Sequence, residues 1–302
     1  MSSRRASSAS LWKRKPGGLK ESSFDTGAVK LNYVEGPDTG LPMVLMHAIC
    51  GRWQTFLPLI PALAMRWRIY AFDFRGHGKS GRTPGAYRGT DYVVDALAFL
   101  QNVVKEPAVL FGHSLGGIVS MWMASGMPAN VRALMLGDNV MSVESLLENQ
   151  HLMTLFNSLR DLLRSGRLLE DLAAALPEIQ LPVAGQEARV RWGQLPGMDA
   201  AFFRFLAQGY SQLDPEVLDA ILQGGATEGW DADSMLAKIK CPVLLLQANP
   251  TLGGGMTDAD VRRALTILPR ATHVRLHNFG HMLHMERAEP VLRALTNFLE
   301  SL

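Results

Sequence analysis

Cysteine is scarce in this sequence: Cys50 and Cys241 are the only two in 302 residues. Two cannot build a disulfide framework, and such usage fits a reducing compartment, so a cytoplasmic location is expected. An excess of either charge is also missing. The 30 Lys and Arg are matched by 28 Asp and Glu, a net charge of +2, which gives no electrostatic reason to expect nucleic acid or an anionic surface as partner. No apolar run reaches the ~18 residues of a membrane span. Metal-ligand spacings such as H-E-x-x-H or paired C-x-x-C do not occur, and Gly253-Gly254-Gly255 lacks the lysine of a phosphate loop, so neither a metal nor a cofactor is expected. There is no internal repeat.

Acidic residues are missing from the first twenty positions, MSSRRASSASLWKRKPGGLK. No apolar stretch follows the basic ones, as a secretory signal would need, and no amphipathic face marks a transit peptide. Residues 1–21 are therefore expected to form a disordered, solvated tail.

What is present is a core-forming chain, 47% hydrophobic and 19% charged. Short apolar runs at 41–48 (LPMVLMHA), 68–73 (RIYAFD), 108–111 (AVLF), 131–137 (VRALMLG), 241–248 (CPVLLLQA) and 273–276 read as strands buried on both faces,. Helical stretches are expected between them at 53–65, 91–104, 115–126 and 257–268, and 288–299 closes the chain. In 91–104, Val94, Leu97, Ala98 and Leu100 are expected to share the apolar face. Residues 22–35 read as a hairpin around Thr26-Gly27. Alternating strands and helices imply an α/β architecture: a mostly parallel central sheet with helices on both faces. Between 139 and 231 the pattern changes to Leu, Met and Phe at helical spacing, with no convincing strand. This segment is read as a helical cap inserted into a core made of 22–138 and 232–302.

The chain is organised around 108–119, AVLFGHSLGGIV. Gly112, Ser114 and Gly116 form G-x-S-x-G between a strand and a helix, a context that lifts Ser114 out of the sheet on a strained corner. The N–H of Leu115 then lies in the first helical turn, where peptide donors lack partners and the dipole favours an anion. A serine hydroxyl needs a base near pH 7. Of the 8 histidines, His281 alone sits just past a late strand, after a glycine, on a loop able to reach back to the serine. His284 is its rival. His113 lies within the elbow with its ring directed away from the serine. His77, in RGHG, reads as a packing residue.

With these residues in hand, the chain resembles the α/β-hydrolase superfamily over 24–302. The resemblance rests on His47-Ala48, on 73–80 (DFRGHGKS), on 112–116 (GHSLG) and on Gly280-His281. It implies a serine esterase or lipase-like enzyme in which Ser114 attacks an acyl carbonyl and His281 is general base and then acid. The oxyanion would be held by the N–H groups of Leu115 and Ile49. Where the family commonly has glycine after the first histidine, this chain has Ala48. Dehalogenase-like and epoxide-hydrolase-like relatives carry aspartate at the elbow, where Ser114 stands here.

The third catalytic member departs from the family pattern. In 247–260, QANPTLGGGMTDAD, the usual acid position falls near Thr251, and the nearest match to a carboxylate is the amide Asn249. Asp138, at the end of the strand after the elbow helix, and Asp258, at a helix start where it could serve as a cap, are the two substitutes. The reading favours Asp138. His47, His113, Met141 and Phe156 are the expected substrate-contacting residues, and the cap, which also contains Met153, Phe202 and Phe203, is apolar. The expected activity is hydrolysis of small to medium apolar esters or lactones. Carbon–carbon bond hydrolysis on the same triad, and a hydrolase-like binding protein with little turnover, are the alternatives.

Overall fold

A computed structural model of the chain describes residues 18–183 and 187–302. The expected tail lies at 1–17 outside the described residues, and its boundary at 21 is corrected, because β1 (Lys20–Asp25) already pairs with β2 (Lys30–Glu35). β3 (Leu41–Met46) follows. The helix expected over 53–65 is instead a 3-10 turn, Trp53–Phe56, and the single turn α1 (Ile60–Leu63). Pro58 and Pro61 lack the N–H groups a continuous helix would use. Next come β4 (Trp67–Phe72), α2 (Gly89–Phe99), β5 (Ala108–His113), α3 (Leu115–Gly126) and β6 (Val131–Gly137).

The segment after β6 holds α4 (Val143–Glu148), α5 (Gln150–Arg164) and α6 (Leu169–Ala175), then β7 (Gln180–Pro182) and β8 (Arg189–Arg191), then α7 (Ala200–Tyr210) and α8 (Glu216–Leu222). The antiparallel β7–β8 ribbon corrects the expectation of no strand here. Strands this short carry too few residues to show an alternating pattern. The chain then resumes with α9 (Ala232–Lys238), β9 (Val243–Gln247), α10 (Asp258–Ile267), β10 (Ala271–Arg275) and α11 (Ala288–Glu300).

The main sheet has eight strands in the order β1-β2-β4-β3-β5-β6-β9-β10. β2 is antiparallel to β1 and β4, and the remaining pairs are parallel. Alternate residues of the central strands serve two cores. Val44, Met46, Leu110, Leu134 and Leu245 face one, while Met43, Leu45, Val109, Phe111 and Leu244 face the other. Strands covered on both faces explain the unbroken apolar runs of the sequence. α1 and α11 cover the second face with Ile60, Leu63, Val291 and Leu295, and α2, α3, α9 and α10 pack against the first.

The expected apolar face of 91–104 is corrected in part. Leu100, just past α2, is buried and Leu97 packs half-buried on the core, but Val94 is 60% exposed, and the buried apolar residues of α2 itself are Tyr92, Val93, Ala96 and Phe99. Asp95 shares that face because Arg75 pairs with it, Nε to Oδ2 at 2.6 Å. A buried carboxylate with a partner can occupy a position that periodicity alone would give to an apolar residue. His47, Asp73, Ser114 and Asp138 all follow the last residues of β3, β4, β5 and β6, so they share one edge of the sheet.

Candidate active site

The elbow shows why its residue types are needed. Ser114 has φ 53° and ψ −114°, a left-handed region that costs a non-glycine residue about 1–3 kcal/mol. A Cβ on Gly112 would lie 2.1 Å from the carbonyl oxygen of Gly116, and one on Gly116 would lie 2.0 Å from that of Met46. Neither site admits a side chain. Leu115 is the first residue of α3, so its N–H has no acceptor within the helix,.

The structure brings Ser114, His281 and Asp138 together. His281 Nε2 stands 3.0 Å from Ser114 Oγ, and its Nδ1 stands 2.7 Å from Asp138 Oδ2. Asp138 is fully buried. Its Oδ1 accepts the N–H groups of Ala248 (2.9 Å) and Met256 (3.3 Å), and its Oδ2 accepts that of Gly255 (2.7 Å). Oxygens that receive three peptide donors act as acceptors, so Nδ1 of His281 donates and Nε2 keeps its lone pair for the serine hydroxyl.

Asp258 is not brought to this site. It is the first residue of α10 and accepts from Gln247 Nε2 at 2.7 Å and Arg275 Nη1 at 2.9 Å. Those bonds, led by the one from Gln247, hold its carboxyl below the usual range. The helix cap is Thr257, whose Oγ1 accepts the N–H of Asp260. Asn249 ties its loop to the one after β10 by donating to the His277 carbonyl at 2.8 Å. His284 is buried and stacks on Phe56, with ring centroids 5.0 Å apart.

The expectation that His47 contacts substrate is corrected. It is fully buried, its Nε2 accepts the N–H of Phe74 at 3.0 Å, and its Nδ1 donates to the Ala48 carbonyl at 2.7 Å. His77 does similar work, with Nε2 accepting the N–H of Cys50 at 3.2 Å and Nδ1 donating to the Arg75 carbonyl. Burial lowers the pKa of both, that of His77 to about 4. Asp73 receives the N–H groups of Trp53 (2.7 Å) and Lys79 (3.0 Å), and burial raises its carboxyl above the usual range despite them. The stretch 73–80 thus braces the loop that carries Ile49. Met141 is corrected as well: it is buried, its sulfur accepts from the Asn139 amide at 3.5 Å, and it lines neither cavity described below.

Two cavities meet at His281. The larger, about 430 Å³, is lined by Leu152, Leu155, Trp192, Leu195 and Met198 from the inserted segment. The smaller, about 40 Å³, is lined by Ile49, Arg52, Phe156, Phe205 and Tyr210, with His113 at its edge. The Nε2 of His113 donates to the His281 carbonyl at 2.7 Å, and burial holds its pKa well below the ordinary value. Sequence reasoning missed Arg52 and Glu286. Glu286 accepts the N–H of Gly280 at 3.0 Å on Oε2 and that of Met282 at 3.2 Å on Oε1, bracketing His281. A carboxylate five residues beyond the histidine, and a cation within an apolar loop, were the available signals.

Among the described residues, no group of three or more His, Cys, Asp or Glu side chains could hold a metal, and no helix is long and apolar enough to cross a membrane. The sequence profile of the Alpha/beta hydrolase family matches residues 43–294. The chain is 25% identical over 284 residues to 2-(acetamidomethylene)succinate hydrolase of Mesorhizobium japonicum, covering 92% of this chain and 94% of that protein. It is 25% identical over 272 residues to the sn-1-specific diacylglycerol lipase ABHD11 of Mus musculus, covering 89% and 84%. The solved structure of E-2-(acetamidomethylene)succinate hydrolase superimposes with a TM-score of 0.70 at 21% identity, over 93% of this chain and 99% of that one.

Proposed function

Because the chain belongs to the alpha/beta hydrolase family, we propose that it is a serine hydrolase acting on carboxylic esters or lactones through an acyl-enzyme. One observation carries the reading: the continuous contact from Ser114 Oγ through both nitrogens of His281 to a buried Asp138. In this reading Oγ attacks the carbonyl carbon as Nε2 takes the hydroxyl proton. The oxyanion so formed accepts the N–H groups of Leu115 and Ile49. The intermediate collapses, the leaving alkoxide takes the proton from the imidazolium, and the acyl group stays on Ser114. Water then attacks with His281 again as base, releasing the acid and restoring the serine. Asp138 holds the tautomer that this sequence of steps requires and stabilises the imidazolium.

Residues 139–231 act as a cap in this reading, because α5 and the Trp192–Met198 stretch supply the apolar wall of the larger cavity. The relatives include one named for a succinate and one for a diacylglycerol. Hydrolysis is what they share, and the substrate varies with the wall over the site.

The test is steady-state hydrolysis of p-nitrophenyl acetate, butyrate and octanoate by wild type and Ser114→Ala. Turnover that disappears in the variant is the expected result. Unchanged turnover in Ser114→Ala would remove the serine from the mechanism. Hydrolysis of a vinylogous diketone with no ester turnover would move the reaction to carbon–carbon bonds.

A further inference from the structure

Arg52 stands in an unusual position for a cation. It is half-buried and directly follows the loop of Ile49, and among the described residues it is the only Lys, Arg, Asp or Glu lining the smaller cavity. Its Nε is buried and meets no hydrogen-bond acceptor. Its Nη1 donates only to the neutral amide oxygen of Gln212 at 3.3 Å, and its guanidinium lies 5.2 Å from the centre of the Phe205 ring. It forms no ion pair among the described residues. Asp73 attracts it through space, but the Asp73 oxygens already receive Trp53 N–H, Lys79 N–H and the Asn32 amide. On the facing helix α7, a Cβ on Gly209 would stand 3.5 Å from Arg52 Nε, so no side chain of that residue covers the nitrogen.

We propose that Arg52 is a specificity residue that binds a carboxylate of the substrate, and that the favoured substrates are half-esters of short dicarboxylic acids. This rests on the hydrolase reading of Ser114 and His281. A half-buried guanidinium that forms no ion pair among the described residues keeps donors free, and paired donors of this kind match a carboxylate in two parallel bonds. The aromatic face of Phe205 and the amide of Gln212 hold the group without neutralising it. A cavity of about 40 Å³ suits a few heavy atoms rather than an acyl chain. The carboxylate end of the acyl group occupies it, and the alcohol portion lies in the larger cavity against the apolar wall of Leu152, Leu155 and Trp192. His281 borders both.

The experiment compares monoethyl succinate with ethyl 4-methylpentanoate, in which an isopropyl group replaces the carboxylate at similar shape. The ratio of kcat/KM for the two is measured in wild type, Arg52→Lys and Arg52→Met, with thermal unfolding as the check on folding. Wild type is expected to favour the half-ester about 100-fold, with Arg52→Met abolishing the preference and Arg52→Lys keeping part of it. No preference in wild type, or the same ratio in Arg52→Met, overturns the assignment while leaving the hydrolase reading intact. If neither ester is turned over, p-nitrophenyl ester hydrolysis decides the hydrolase reading and binding decides the anchor. Calorimetric titration of monoethyl succinate into Ser114→Ala and Ser114→Ala/Arg52→Met then supports the anchor only if affinity is lost in the double variant. Equal affinity, or no binding to either, overturns it.

Discussion

Gly255 donates its N–H to Oδ2 of Asp138 at 2.7 Å, the same oxygen that meets His281 Nδ1. A Cβ on Gly255 would lie 2.9 Å from the Asp138 carbonyl oxygen and 3.2 Å from His281 Cε1. The loop after β9 thus supplies peptide donors that hold the carboxylate standing at the end of β6.

Asp138→Asn is therefore expected to lower kcat by about 10³–10⁴, because an amide there sets the wrong tautomer of His281. Asp258→Asn is expected to stay within about twofold, since its partners are Gln247 and Arg275,. Gly255→Ala should cost about tenfold in kcat by displacing the Asp138–His281 pair. Steady-state ester hydrolysis by the three variants checks this, and a collapse confined to Asp258→Asn would reassign the acid.

Glu286 is expected to act through His281 as a positioning residue. Losing both acceptors in Glu286→Ala frees the N–H groups of Gly280 and Met282, and a loosened base lowers kcat about tenfold with KM little changed. Glu286→Gln, which keeps an acceptor oxygen, should recover part of the rate. A fall in KM and kcat alike with no recovery by glutamine would show a role elsewhere.

Gly116→Ala is a stability test of the elbow. With Met46 carbonyl oxygen 2.0 Å from the added methyl, β3 and α3 must separate, at a cost of about 3 kcal/mol or more. Urea unfolding should show it, or the variant should fail to accumulate as folded protein. An unchanged midpoint would mean that the strand and helix are not in this contact.

Acid should weaken the fold through its buried histidines. Burial lowers His47, His77, His113 and His284, with His77 brought to about 4 and His284 to about 3. The unfolded chain takes these protons near 6.5. Each folded value lies below the unfolded one, so each histidine contributes stability that is present above pH 6.5 and lost as pH falls toward 4. The slope is about 1.4 kcal/mol per pH unit for each histidine. Urea unfolding between pH 7.5 and 5 measures it. His284→Phe keeps the stack on Phe56 and removes both buried ring nitrogens, so it should flatten the slope by one histidine's share. An unaltered slope would place the titrating group elsewhere.

Much of this protein was legible in its residues. The central strands showed as apolar runs because both sheet faces are covered, and α3 ends at Gly126 as its pattern predicted. Glycines at 112 and 116 marked the elbow because no side chain fits there. Short or conditional features escaped: the β7–β8 ribbon is too brief for periodicity, and Asp95 sits on a buried face through its pairing with Arg75.

The sequence by itself determined the architecture and the order in which Ser114, Asp138 and His281 arrive, since local patterns dictate strands, helices and the strained turn. The tertiary structure decided which carboxylate meets His281. It also turned His47 from a substrate contact into a brace, and it left Arg52 at the cavity with no ion pair among the described residues. Those outcomes depend on contacts between residues far apart in the chain, such as Asp138 with Gly255 and Asp138 with His281. Hydrogen bonds at 3 Å discriminate between groups that a one-dimensional pattern treats as equivalent.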